Sequence, residues 1–159
     1  MNPLPAWLPS MARVNPWTTD TFEMLYGIFK RDFKDSQPVY EGHPVWFFPE
    51  MEDGKEVIFW HMTSEKDKNT GGRLPDLRRS ERLPWARPMI DHPGEAEVLA
   101  FDYLESDGDT NTYVWLKDHD FVVLMKRYRD GRRRLLTSFY VKYENYRGKL
   151  QRKYVRRMK

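Results

Sequence analysis

Hydrophobic positions in this chain change period twice. Over residues 20–34, Phe22, Leu25 or Tyr26, Phe29 and Phe33 recur at helical spacing, with Thr19 or Asp20 available to cap the start. From residue 45 the apolar runs become short and rich in β-formers. Val45-Trp46-Phe47-Phe48 and Val57-Ile58-Phe59-Trp60-His61-Met62 each read as a strand, with a hairpin turn at Glu52-Asp53-Gly54 between them. The second run is apolar on both faces, so a buried central strand is expected. Residues 64–76 are polar around Gly71-Gly72 and read as a mobile loop. The segment Leu77 to Trp85 opens as a short helix that Pro84 interrupts or ends. Four strands follow, over 97–103, 112–117, 120–128 and 132–141. Asp118-His119 is a tight connection between two of them, and Asp130-Gly131 reads as a two-residue hairpin turn. The chain closes in a helix over about 143–157. Tyr143, Tyr146, Leu150 and Tyr154 share one face of it, basic residues take the other, and Gly148 weakens it.

These elements predict an α+β fold of one domain: an antiparallel β-sheet with an N-terminal helix and a basic C-terminal helix. Its parts are an irregular extension over 1–16 with Pro at 3, 5, 9 and 16, a helix within 17–36, a sheet-containing core over 45–141, and a basic helix and tail over 143–159. At 159 residues the chain is long enough for one core. Mean hydropathy is low, at −0.82, but six Trp, nine Tyr and nine Phe supply apolar area in large pieces. There is no Cys, which excludes disulfides, thiolate zinc sites and a cysteine nucleophile and fits a reducing cytoplasm. No run approaches the roughly 20 apolar residues of a membrane helix, and the N-terminus lacks the character of a signal peptide. A cytoplasmic protein with no membrane partner is the expectation.

Charge sharpens this picture. From Met125 to Lys159 there are 14 Lys/Arg against two acids, Asp130 and Glu144, a local charge of +12; the preceding 124 residues carry −9. A basic end with Tyr and Phe among its charges suits a nucleic acid, whose phosphates take Lys/Arg and whose bases stack on rings. A solvated basic face is the plainer alternative.

Three segments carry candidate chemistry. His61 lies near the end of an expected strand, followed by Thr63 and the polar segment. Imidazole titrates near neutral pH and can take or give a proton, although a hydrogen-bonded structural histidine is the plainer reading of the local sequence. Arg79 and Arg82 lie three apart, one side of a helix, where guanidinium forks could hold a phosphate or pair with Glu81. In the last strand, alternation puts Leu135, Thr137, Phe139 and Val141 on one face and Leu136, Ser138, Tyr140 and Lys142 on the other. Its hydroxyls are open to a phosphate or to ordinary cross-strand bonding. No histidine pair has metal-site spacing. There is no phosphate-binding Gly loop, dinucleotide fingerprint or Gly-x-Ser-x-Gly elbow, so no cofactor and no metal are expected.

In order, His-x-Thr, Arg-Arg-Ser-Glu-Arg-Leu-Pro-Trp-Ala-Arg-Pro-Met-Ile, the hairpin Phe121-Val122-Val123-Leu124-Met125-Lys126-Arg127, Leu-Leu-Thr-Ser-Phe-Tyr-Val and the basic tail resemble a known family. It is the phage and mobile-element branch of the barnase–EndoU–colicin–RelE superfamily of RNases. The resemblance runs from about Val57 to Tyr154 and leaves the first 50 residues uncovered. It implies a metal-independent endoribonuclease, a toxin or phage defence effector, in which the ribose 2′-OH attacks the adjacent phosphate. Carried over, His61 is general base or acid, Arg79 and Arg82 hold the scissile phosphate, Thr137 donates to a phosphate oxygen, and Tyr140 orients the phosphate or stacks on a base. Thr63, Lys126, Arg127, Arg134, Ser138 and Lys142 would contact the RNA. An acidic antitoxin or immunity protein is the implied partner besides RNA. The chain departs from the family pattern where Thr-Ala-Tyr-Tyr becomes Thr-Ser-Phe-Tyr: Phe139 has lost a hydroxyl, and Ser138 becomes the substitute candidate. The alternative function is a non-catalytic nucleic-acid-binding accessory protein that uses the basic C-terminal face.

Overall fold

Thr18, one residue before Thr19 and two before Asp20, the expected caps, starts the first helix. Its Oγ1 accepts from Thr21 N at 3.3 Å, and Thr21 Oγ1 accepts from Thr18 N at 3.1 Å, so two amides orphaned at the helix start are satisfied reciprocally. The computed structural model describes residues 3–159, with α1 over Thr19–Phe29 running on as a π-helical turn, Lys30–Lys34. Leu25, Phe29 and Phe33 of the expected stripe are buried and Phe22 is half-buried.

The order continues as β1 (Val39–Tyr40), β2 (His43–Trp46), β3 (Met51–Glu52), β4 (Lys55–Glu56) and α2 (Val57–Thr63). Then come β5 (Ser64–Lys66), β6 (Arg73–Pro75), α3 (Leu77–Glu81), α4 (Leu83–Asp91), β7 (Val98–Leu104), β8 (Thr110–Leu116), β9 (Phe121–Arg127), β10 (Arg133–Tyr140) and α5 (Glu144–Val155). The fold is mixed α+β, with five α-helices among the described residues and a curled sheet of order β1-β2-β10-β9-β8-β7. All its neighbours are antiparallel except β2 and β10, which run parallel through Arg133–Val45 and Arg134–Trp46.

The sheet is covered on both faces, which is why Tyr113–Leu116 of β8 and Phe121–Met125 of β9 are unbroken apolar runs. Val114, Leu116, Val123 and Met125 join Leu25, Phe59, Leu83 and Met89 in the larger cluster under α1, α2 and α4. Tyr113, Trp115 and Val122 point the other way, onto Leu150, Tyr146 and Tyr154 of α5. Tyr143, expected on that buried face of α5, is instead largely exposed at the residue before the helix.

Four expectations are corrected. Val57–Met62 is a helix: Ile58, Phe59, Met62 and Thr63 are buried, the i, i+1, i+4, i+5 pattern of a helical face, which a short apolar run cannot distinguish from a strand. Residues 64–76 hold the hairpin β5–β6, its turn organised by Asp67, whose carboxylate accepts from Asn69 N and Thr70 Oγ1. The short helix from Leu77 stops at Glu81, before Pro84, as expected, but Pro84 then sits in the first turn of a second helix, α4, that was not expected, where its missing N–H is harmless. Residues 45–48 give only a short strand, β2, ending at Trp46. The turn at Asp53-Gly54 does form a hairpin, but a small separate one between β3 and β4. Gly131 is required by its surroundings, with φ +94 and a built Cβ that would meet the His43 ring.

The irregular N-terminal stretch, described from Pro3, packs across α3 and α4: Ala12 N donates to Glu81 O at 2.7 Å and Trp85 Nε1 donates to Pro9 O at 2.9 Å. Among the described residues no helix is long and apolar enough to cross a membrane.

The curl is closed by Arg133, 1% exposed. Its Nε donates to Thr112 Oγ1 at 3.0 Å on β8, its Nη1 to Gly131 O at 2.6 Å, and its Nη2 reaches Asp102 on β7 at 3.3 Å and Glu41 after β1 at 3.1 Å. The Tyr40 ring lies 4.9 Å from the guanidinium. Removing one member of a buried ion pair strands the other, so Arg133→Ala is expected to cost about 3–5 kcal/mol. Urea unfolding should show this as a lower midpoint; an unchanged midpoint would contradict it.

Glu105 anchors α5 by accepting from Lys153 Nζ at 2.8 Å and from Tyr113 Oη at 2.5 Å. Burial pushes its pKa up, but the hydrogen bonds from Lys153, Tyr113 and Asn111 outweigh this and hold it below the usual value. Stability from this group is therefore full above its unfolded pKa and lost as pH falls through the folded one. Glu105→Gln is expected to flatten the acid limb of a stability–pH curve.

Candidate active site at the end of helix α2

A helix leaves its last carbonyls without partners inside the helix. In α2 these are met by its own Thr63, by Ser64 just after it, and by side chains from three other elements. Thr63 Oγ1 donates to Phe59 O at 2.9 Å and Ser64 Oγ to Trp60 O at 2.6 Å. His61 O accepts from Arg79 Nη1 at 2.8 Å and from Thr137 Oγ1 at 2.9 Å. Thr63 O accepts from Ser80 Oγ at 2.8 Å, and Ser64 O from Arg73 Nη2 at 2.9 Å. The end of α2 is thus set in a collar from β6, α3 and β10, with two guanidinium groups at the negative end of its dipole.

Strict alternation along β10 is broken by a bulge between Leu135 and Thr137: Leu135 pairs with Met125, and the next paired residue is Thr137, opposite Leu124. The bulge also reassigns the faces, so Leu135, Ser138 and Tyr140 now lie on the same side of β10.

His61 is therefore on a helix, not at a strand end, with its ring at the wall of an open cleft also lined by Phe48, Glu50, Ile58 and Arg134. Partial burial, then the charge of Arg73, hold the imidazole below its ordinary pKa; a hydrogen bond with the Leu136 backbone works the other way. Around neutral pH the ring is a neutral base. Arg134 lies with its guanidinium 4.0 Å from the Phe48 ring and donates through Nε to Tyr128 Oη at 3.0 Å.

Arg79 and Arg82 do not share a helix face. Arg82 closes α3, is 8% exposed, stacks on Tyr140 at 4.4 Å and pairs with Glu81 at 2.6 Å. Arg79 binds Asp76 at 3.1 Å besides His61 O. With Tyr140, Lys142, Glu65 and Tyr143 it lines a second cleft, distinct from the one that holds the His61 ring. Lys142 stands 3.9 Å from both Glu65 and Asp76. The structure thus joins His61, Arg79 and Thr137 through a backbone carbonyl, and sets the His61 ring apart from Tyr140.

Two hydroxyls offered for substrate contact are buried. Ser138 Oγ has no partner among the described residues and Thr63 caps its own helix. Lys126 and Arg127 lie farther along β9, paired with Asp109 at 3.4 Å and Asp102 at 2.7 Å. Arg73 was missed by the sequence reading. It follows Gly72 in a segment that reads as loop, and only the β5–β6 pairing returns it to the end of α2.

Comparison with protein-family models, with curated proteins and with solved structures found no match for this chain.

Thr137→Val leaves His61 O to Arg79 alone. The expected loss is about 1 kcal/mol of stability, the usual net worth of one hydrogen bond. The His61 imidazole resonances should move in the same variant; resonances identical to wild type would show that Thr137 does not hold the helix end.

Proposed function

We propose that this protein is a metal-independent endoribonuclease acting on RNA in the cytoplasm, with His61 as its proton acceptor. The observation that carries the reading is a solvent-reachable imidazole, held neutral, at an open cleft lined by Arg134 and within the field of Arg73 and Arg79. Cleavage needs little else from the protein: a base for the ribose 2′-OH and positive charge for the phosphorane. The 2′-oxygen loses its proton to His61 and bonds to phosphorus. The bond from phosphorus to the 5′-oxygen breaks, and that oxygen takes up a proton. The products are a 2′,3′-cyclic phosphate and a 5′-OH. Arg79 and Thr137 act through the helix end as positioning residues for His61. Arg82 fixes Tyr140 by stacking. The resemblance to phage and mobile-element RNases supports the same reading, with a toxin or defence role and an acidic protein as inhibitor.

RNA beyond the cut site has a surface to follow. Lys149, Arg152 and Arg156 are exposed on α5 and make no ion pair among the described residues. A second reading, binding without cleavage, is favoured by β10 itself: Phe139 carries no hydroxyl and that of Ser138 is buried.

Purified protein incubated with total RNA in EDTA decides between them. Cleavage is expected, with His61→Ala slowing it by about a hundredfold or more. The rate should rise with pH through an apparent pKa below the ordinary 6.5, because the base works only when deprotonated. Intact RNA that is nevertheless bound in a salt-dependent manner would establish the second reading.

A further inference from the structure

Two guanidinium groups meet at one oxygen. Ser64 O accepts from Arg73 Nη2 at 2.9 Å and from Arg79 Nη1 at 3.3 Å. Like charges in contact raise each other's cost, and the charge of Arg79 is felt at Arg73, whose pKa is held down first by burial and then by that neighbour. Asp76 is the ion-pair partner of Arg79, at 3.1 Å. Arg73 has no ion pair among the described residues; Glu52 acts on it only through space. The pair therefore carries a surplus positive charge.

Neither fork is used up. Arg73 Nε donates to Ser64 Oγ at 2.7 Å and its Nη2 to Ser64 O and Trp60 O, leaving Nη1 without a protein partner among the described residues. Arg79 places Nη1 on backbone oxygens and Nε on Asp76, leaving Nη2. Each free nitrogen shares its guanidinium carbon with a nitrogen on Ser64 O, so both free edges belong to groups anchored on one backbone oxygen. Backbone and Ser64 contacts fix both forks in advance, so little side-chain entropy remains to be lost on binding.

We propose that Arg73 and Arg79 form a phosphate-binding site at the end of α2, and that its ligand is the phosphate of an RNA strand lying against His61. The anion site stands on the arginine geometry alone; the identity of its ligand rests on the nuclease reading. Arg73 thereby becomes a substrate-contacting residue from the β5–β6 hairpin. In the complex the phosphate supplies the missing counter-charge, shared across two guanidinium groups.

The test follows the side-chain Nε–Hε resonances of Arg73 and Arg79 in the full chain during titration with inorganic phosphate. A parallel arm measures binding of a single-stranded oligonucleotide made uncleavable by 2′-deoxy substitution. Both resonances should shift along one saturating curve, and Arg73→Gln should abolish the response at Arg79. The same variant should weaken oligonucleotide binding about tenfold or more and lower its salt slope by about one phosphate contact. Arg73→Lys, which keeps the charge but loses the fork, should recover only part of the affinity. Because the wild-type titration needs no variant, loss of the hairpin in Arg73→Gln would not obscure the answer. Resonances that stay still, or that move without saturation, overturn the site. Phosphate binding together with oligonucleotide affinity unchanged in Arg73→Gln overturns RNA as the ligand. Phosphate and oligonucleotide binding with RNA left intact would leave the site standing and remove the nuclease reading.

Discussion

The fold turns on a buried guanidinium. Arg133 stands at the start of β10 and ties it to β8, to β7 and to the turn after β1, strands from opposite ends of the sheet order. A charge this deep is tolerated only while its acceptors stay in place, so the curl of the sheet and the seating of β10 are set together. The site depends on that seating. β10 starts in register against β9 and β2 and bulges after Leu135, and its Thr137 donates to His61 O at the end of α2.

Charge that is separated along the chain is mixed in space. Half of the 14 cations in the basic segment pair with carboxylates, and apart from the local Arg132–Asp130 and Arg147–Glu144 pairs they use acids of the earlier chain, such as Glu41, Asp102, Glu105, Asp109 and Asp120. The +12 that invites a nucleic acid in one dimension is thus in large part the counter-charge of the fold. Among the described residues the other seven make no ion pair: Arg129, Arg134 in the His61 cleft, and Lys149, Arg152, Arg156, Arg157 and Lys159 on and after α5. The proposed reading needs only such a narrow surplus beside His61 and not a uniformly basic surface.

The end of α2 shows how a structural need and a chemical one can share groups. Orphaned carbonyls call for donors, and arginine supplies several from one side chain. A guanidinium that satisfies two backbone oxygens still has a free edge. The donors that hold the helix end can therefore leave positive charge exposed beside the imidazole they position.

The segments with a strong local signal were legible. The α1 stripe, the meander from residue 97 to 141, its Asp130-Gly131 turn and the closing helix all follow from periodicity and turn chemistry, which act over a few residues. His61, Arg79 and Thr137 were also singled out, but not what joins them. The sequence by itself determined an α+β chain with an apolar sheet and a basic end. Only the tertiary structure decided that Val57–Met62 is a helix, that the loop around Gly71-Gly72 is a hairpin carrying Arg73, and that Arg82 and Ser138 are turned inward. The physical reason is the same in each case. A short apolar run fits strand or helix, a guanidinium fits phosphate or carbonyl, and the partner that selects between them lies far away in the chain: Ser80 for Thr63, Arg79 and Thr137 for His61, Tyr140 for Arg82.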